Sequence, residues 1–381
     1  MFLYSEKFIY NNSFSKIKLK HSKIDIEDSG KGGNTRDESK LRDGFSDELE
    51  PLEALDLSKV NTVNDLVKGM GKTAFAGRKV GEAADILYEM VNDKDCFVVA
   101  TFSGAMTVAK MGLIICDMID NGMIDAIVST GALMAHGFIE SVGMRHFKHN
   151  PRMNDVELYY KGYDRVYDTL ELEKNLDDAE LIFNKVMDQV DRNETLCSSK
   201  ICYLLGEYLA KNVKGRGILK QAYLKKIPVY IPAFTDSELG LDFALYNRRQ
   251  IAIGKKQMAF NPFLDLEDFT ERVKAQKKLG IFTVGGGVPR NWAQQIGPYL
   301  DIIDKRIGFG GSFKRFHYGI RICPEPVHFG GLSGATYSEG ISWGKFVPES
   351  EGGRYAEVMA DATIAWPLIV KAVMERLGKS R

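Results

Sequence analysis

The chain lacks the marks of several protein classes. Lys+Arg and Asp+Glu both total 51, so there is no excess of either sign. A nucleic-acid binder held mainly by counterion release is therefore not expected. The 381 residues include only five cysteines (Cys96, Cys116, Cys197, Cys202 and Cys323) and no CxxC pair. An odd, scattered set in a long chain predicts free thiols in a reducing compartment. No apolar run reaches the roughly 18 residues a membrane span needs. The opening MFLYSEKFIY carries Glu6 and no long apolar core, which makes it a poor secretory leader. The expectation is a cytoplasmic protein with no membrane and no nucleic acid as partner.

The common catalytic signatures are also missing. There is no HExxH, and the six histidines are scattered. His146 and His149 lie in a polar stretch with Arg145 and Lys148, with no acid or thiolate cluster beside them. No metal site is expected by the usual spacing rules. Leu66 stands where a phosphate loop ending in Gly71-Lys72-Thr73 needs its first glycine. The run from Gly308 to Phe313 lacks the last glycine of a dinucleotide fingerprint. Gly331-Leu332-Ser333-Gly334-Ala335 is one residue short of a nucleophile elbow and does not clearly follow a strand.

What is present is an α/β pattern behind a polar arm. Residues 1–60 are charged and poor in large apolar side chains, so they bury too little surface to offset their ordering entropy. A flexible N-terminal arm is expected there, and a single α/β catalytic domain over residues 61–381. Val80, Ala83, Ala84, Leu87, Tyr88 and Val91 fall at helical spacing. Cys96–Phe102, Ile124–Ser129, Ile227–Ile231 and Leu279–Val284 read as buried strands. Residues 104–121, 177–190 and 198–211 read as helices. Strands alternating with helices predict a Rossmann-like parallel sheet with helices on both faces. Ligands of such sheets sit at the carboxyl ends of the strands. Those ends are Ser103-Gly104, Thr130-Gly131, Thr235-Asp236 and Gly285–Gly287.

The strongest local feature is the glycine-rich run from Gly330 to Lys345, which ends Glu339-Gly-Ile-Ser-Trp343-Gly-Lys345. A lysine beside a large aromatic and flexible glycines can be desolvated, which lowers its pKa and frees an amine for imine chemistry. A surface lysine after a buried tryptophan is the commoner reading of the same residues.

At this loop the sequence resembles the deoxyhypusine synthase family, in particular its bacterial deoxyhypusine-synthase-like branch. The resemblance runs from about residue 60 to residue 379. Its other segments are Phe102–Thr107, Val128–Ala132, Ile227–Asp236, Gly285–Gly287 and Ala360–Ala362. It implies a Rossmann-like domain in a homotetramer, with active sites at dimer interfaces and NAD as cofactor. It also implies aminobutyl transfer from spermidine or a related polyamine, through an imine on Lys345, to an acceptor amine. The acceptor is a protein lysine or a small diamine. The alternatives are a homospermidine synthase or other NAD-dependent small-amine enzyme, and a catalytically silent regulatory subunit.

Carried over by position, Lys345 forms the imine, Trp343 packs along the amine chain, and Glu339 pairs with an ammonium. Gly330, Ser333, Gly334, Gly286, His136 and Asn291 fall in the substrate region. Ser103, Gly104, Ala105, Met106, Thr107, Thr130, Gly131, Ala132, Asp236, Asp361 and Ala362 fall where the family holds NAD. Read from the residues alone, Asp236 and Asp361 suit helix capping as well, and His136 suits a satisfied histidine at a helix start. The substrate region departs from the eukaryotic enzymes. His136, Leu241 and Leu332 stand at acidic positions, with Asp242 one residue after Leu241, and Asn291 stands at a histidine position. Glu339 and Glu238 are the acids left to hold a charged amine. Cys323–Phe329 and Gly308–His317 also depart from those enzymes.

Overall fold

The computed structural model describes residues 38–308 and 313–378. The expectation of a flexible arm therefore lies outside the described residues as far as residue 37, as does most of the Gly308–Phe313 run. The chain divides into Met1–Pro51 and Leu52–Arg381. In the first unit, residues 38–51 carry two short 3-10 turns. The second unit begins before residue 61: Glu53 N–H donates to the Lys72 carbonyl, and its carboxylate pairs with the Lys72 ammonium at 2.9 Å.

Six strands build the main sheet. They are β1 (Cys96–Phe102), β2 (Ala126–Ser129), β3 (Val229–Tyr230), β4 (Lys278–Val284), β5 (Phe316–Ile322) and β6 (Arg354–Val358). The order across the sheet is β6-β5-β4-β1-β2-β3, and every pairing is parallel. This is the expected α/β architecture. A central parallel strand is buried on both faces, so β1 reads CFVVATF with hardly a polar residue. Val98, Ala100 and Phe102 enter one core and Val99 the other. On the first side the fully buried Trp366, from helix Ala362–Arg376, packs 5.5 Å from Phe102. On the second, Tyr230, Phe269 and Trp292 form an aromatic trio.

The topology locates the crevice. The chain leaves β1 for β2 and β3 on one side, then returns to lay β4 against the other edge of β1. The connections that leave β1 and β4 run to opposite sides although the two strands pair from Cys96–Lys278 to Phe102–Val284, and the carboxyl ends at such a switch point leave room for a ligand. Ser103 and Gly285–Gly287 stand at that point.

Two local expectations need correction. The helix expected over 104–121 is confined to Gly112–Asp120. Gly104 and Lys110 adopt φ of 70° and 63°, so the intervening chain runs through turns. The other miss is a small antiparallel sheet inserted after helix Gly131–Ser141. Its strands Phe147–Lys148, Tyr163–Val166 and Thr169–Leu172 are too short and polar to show an alternation. The five cysteines are free. Among the described residues, no helix is long and apolar enough to cross a membrane.

Candidate active site

Two crevices flank the segment Leu332–Ala335. One lies at the strand tips. It has a volume of about 160 Å³ and is lined by Ser103, Ser129, Thr130, Gly131, Ala233, Asp236, Gly286–Pro289 and Ser333. The other holds Lys345. Its volume is about 260 Å³, and Arg290, Asn291, Leu332, Ala335, Glu339, Trp343 and Lys345 are among its lining.

The first crevice is built largely from backbone. Gly131 is approached so closely that a Cβ there would lie 2.2 Å from Ser237 Oγ. A Cβ on Gly286 would lie 2.4 Å from Ser333 Cα. The tight packing at the second glycine is thus against the Leu332–Ala335 segment, which settles what its missing side chain makes room for. Ser103 donates to the Gly286 carbonyl, and Thr130 Oγ1 donates to the Gly104 carbonyl at 2.7 Å. Because Thr130 turns that way, helix Gly131–Ser141 starts without a side-chain cap. Helix Gly287–Gln294 also starts without one. Two uncapped helix N-termini at a crevice present N–H groups and positive dipole ends, a setting suited to phosphate.

The residues matched to the NAD region separate into two sets. Ser103, Thr130, Gly131 and Asp236 line the strand-tip crevice, while Gly104, Ala105, Met106, Thr107, Ala132, Asp361 and Ala362 are not in its lining. Thr107 is fully buried and its hydroxyl donates to the Leu133 carbonyl. Asp361 caps helix Ala362–Arg376 by accepting from Thr363 N–H at 2.7 Å. Asp236 is exposed and does not cap, because Ser237 takes that role for helix Glu238–Ala252.

The second crevice is built from side chains. Helix Tyr337–Ser342 is capped by Thr336, which accepts from Glu339 N–H at 3.0 Å and orients that first turn. The chain then turns at Gly344, φ 69°, and drives Lys345 inward to 9% exposure. Lys345 Nζ donates to Asn291 Oδ1 at 3.0 Å and lies 5.8 Å from the centroid of the Trp343 ring. Burial pushes the ammonium pKa down, the Arg290 charge lowers it further, and Glu339 opposes them in part. No carboxylate pairs with this amine among the described residues. Trp343 itself is 65% exposed, so the commoner picture of a buried tryptophan and a surface lysine is inverted here.

Two buried arginines that sequence reasoning missed hold the segment between the crevices. Arg290 donates to the Leu332 and Ala335 carbonyls, at 3.3 and 2.7 Å, and faces the Tyr337 ring. Arg321 donates to the Ser333 carbonyl and pairs with Glu357 at 2.6 Å. For Arg321 the signal was an arginine between two isoleucines, in Gly319-Ile320-Arg321-Ile322. Of the other residues matched to the substrate region, Ser333 and Gly286 lie on the strand-tip crevice, and Gly330 and Gly334 line neither.

His136 does not line the Lys345 crevice either. Its Nδ1 faces Glu171 Oε2 at 3.2 Å, and His146 joins the same carboxylate. The expected polar stretch is exposed at Arg145, Phe147 and Lys148, but the His146 side chain departs from it and is fully buried. Glu171 reaches it only through the inserted sheet, which spacing could not reveal. Leu241, which the resemblance sets at an acidic position, is 52% exposed, while Asp242 is buried.

A larger cavity, about 580 Å³, opens beside the amino end of edge strand β3, lined by Tyr203, Tyr223, Asp268 and Arg272 among others. It lies at the opposite end of that strand from the tips and contains none of the residues above, so size alone misplaces the chemistry.

Known proteins share sequence with most of this chain. The family model for deoxyhypusine synthase matches residues 65–373. "Probable deoxyhypusine synthase 2" of Methanosarcina acetivorans is 34% identical over 320 residues, covering 84% of this chain and 88% of its own. The "Deoxyhypusine synthase-like protein" of Chlorobaculum parvum is 32% identical, covering 84% of this chain and 88% of its own. Among solved structures, a deoxyhypusine synthase homologue from Entamoeba histolytica superposes with a TM-score of 0.55 at 15% identity. That match covers 84% of this chain and 96% of the other, and it supports the fold.

Proposed function

The chain belongs to the deoxyhypusine synthase family, and on that premise we propose that it is an NAD-dependent aminoalkyl transferase working through an imine on Lys345. The observation that carries this reading is the state of Lys345. Its amine is buried, pushed toward neutrality, and held by a neutral amide instead of a carboxylate. A lysine needs these conditions to act as a nucleophile near neutral pH.

The strand-tip residues fit NAD. The two uncapped helix N-termini suit its pyrophosphate, Asp236 offers a free carboxylate to a ribose, and Gly131 and Gly286 allow close backbone approach. When bound, NAD supplies the acceptor, and later the donor, of a hydride. Lys345 adds its lone pair to the carbon of the oxidised amine and takes over the alkyl group as the leaving amine departs. Asn291 Oδ1 accepts a hydrogen of the Lys345 amine and so aims its lone pair. Trp343 lies along the alkyl chain, and Glu339 meets the distal ammonium. A second copy of the chain completes a crevice that is smaller than a dinucleotide, in keeping with the homotetramer the family implies. The donor is spermidine or a related amine, and the acceptor a protein lysine or small diamine.

One observation favours the second reading, a silent regulatory subunit. Among the described residues Glu339 is the single carboxylate in the Lys345 crevice, and a polyamine carries more charges than one carboxylate can pair. Both readings meet in one experiment. The protein is incubated with NAD⁺ and spermidine, putrescine, agmatine or homospermidine, reduced with borohydride and weighed intact. A mass gain on Lys345, absent in Lys345→Ala, establishes transfer and names the donor. No adduct from any amine, with NAD bound, overturns transfer in favour of the silent subunit or of an NAD-dependent small-amine enzyme that forms no imine on Lys345.

A further inference from the structure

A second constellation of reactive side chains lies outside both crevices. His136 sits in the second turn of helix Gly131–Ser141, His146 precedes strand Phe147–Lys148, and Glu171 lies on strand Thr169–Leu172. Three separate segments thus converge, and one ligand atom from each lies within 4.8 Å of the others. His146 and Glu171 are essentially buried, and the His136 side chain is 15% exposed.

The carboxylate is already oriented. Its Oε1 accepts from Asn175 Nδ2 at 2.6 Å and from Leu172 N–H at 3.1 Å. That leaves Oε2 facing both imidazoles, at 3.2 Å from His136 Nδ1 and 2.5 Å from His146 Nε2. The second approach is short but off the ring's N–H axis, so among the described residues His146 Nε2 has no aligned hydrogen-bond partner. Two imidazole nitrogens and one carboxylate oxygen, braced by an amide and a backbone N–H, are the donor set and outer support of a three-ligand site with one open position.

We propose that His136, His146 and Glu171 bind one divalent transition-metal ion of the Zn²⁺ type. Nitrogen and oxygen donors without a thiolate suit such an ion, and do not suit Mg²⁺ or Ca²⁺, which favour all-oxygen shells. Donors at about 2.1 Å from a tetrahedral ion stand about 3.4 Å apart. The His136–Glu171 spacing already meets that figure, and the His146–Glu171 spacing opens by about 1 Å. The spacing of the histidines in sequence gives no hint of this, because the third ligand arrives on the inserted sheet.

Lys110 is the competitor. Its Nζ lies 2.8 Å from His146 Nδ1, where an ammonium donates to the ring. A neutral imidazole bound to metal through Nε2 carries its proton on Nδ1 and cannot accept there. Lys110 therefore has to swing away as the ion binds, toward Glu140, which is 3.5 Å from it and only partly buried. The ion would tie the inserted sheet to a helix whose first residue stands at the strand tips.

The test uses the full chain after chelator treatment. Co²⁺ is titrated while its visible ligand-field absorption is followed, and Zn²⁺ is titrated by calorimetry. One ion per chain is expected, weakened at least about 100-fold in Glu171→Gln and tightened about tenfold in Lys110→Gln. Circular dichroism confirms that each variant is folded. If Glu171→Gln is not, His136→Gln takes its place, since that side chain is partly exposed. Absence of 1:1 binding at millimolar metal, or binding unchanged in the folded ligand variant, overturns the proposal. These readouts need neither NAD nor amine, so their failure is separable from failure of the transfer reaction.

Discussion

The two crevices on either side of Leu332–Ala335 are made of different materials. The strand-tip crevice is shaped by backbone: glycines that admit close neighbours, helix starts left uncapped, and hydroxyls turned onto carbonyls. The Lys345 crevice is shaped by side chains: an amide on an amine, an exposed indole, and one carboxylate. The difference teaches where each can change. A backbone crevice holds its ligand class across wide sequence drift. A side-chain crevice can trade one substrate for another with a few substitutions, and Leu332, which lines the Lys345 crevice where the resemblance implies an acid, is a candidate for such a trade.

The largest expected effect separates the two sides. Lys345→Ala should lower transfer by about 10⁴-fold or more, with NAD affinity unchanged, as read by single-turnover kinetics and cofactor titration. A parallel loss of NAD binding would show that the crevices are one site.

Next comes the element that both share. Arg321→Met removes the buried guanidinium that holds Ser333 and leaves Glu357 unpaired. It should cost roughly 3 kcal/mol, seen as a lower urea midpoint, and should weaken cofactor and amine together. Damage to one alone would break the comparison.

Asn291→Asp sharpens it. A carboxylate at 3.0 Å from Lys345 Nζ favours the ammonium. The midpoint of adduct formation against pH, expected below the ordinary lysine value of 10.5, should move up. Trapping at pH 7 should fall about tenfold.

The smallest effect concerns a displaced acid. Burial, then Glu180 and Glu238, pushes the Asp242 carboxyl up to about 7. Its pKa is raised on folding, so its contribution to stability is whole below the ordinary 3.8 and is lost as pH climbs through about 7. Asp242→Asn should therefore gain about 1–2 kcal/mol over the parent at pH 8 and almost nothing at pH 4, by urea unfolding. Equal gains at both would show that Asp242 does not titrate in the core.

Legibility followed the same division. Strand β1 matched residue for residue, because a strand buried on both faces writes itself as a continuous apolar run. The burial of Lys345 was not legible in its neighbours alone, which suit a surface lysine after a buried tryptophan, because the turn at Gly344 that drives it inward leaves no mark in composition. Helix 104–121 was overlong, since φ at Gly104 and Lys110 is set by how the β1 tip turns and leaves no trace in hydrophobic periodicity. Arg290 and Arg321 went unread, because the carbonyls they hold lie 42, 45 and 12 residues along the chain. His146 was misread because Glu171 is remote in sequence and reaches it only through an antiparallel pairing two residues long.

The segment Leu332–Ala335 is a partition one chain thick, wedged against Gly286 on one side and bolted to two arginines on the other. A party wall of this kind makes its tenants interdependent. Whatever fills one room and nudges the partition alters the affinity of the other, and the alteration is equal in both directions. Order of entry is then a matter of free energy shared through a wall, in addition to the direct contact that hydride transfer itself requires.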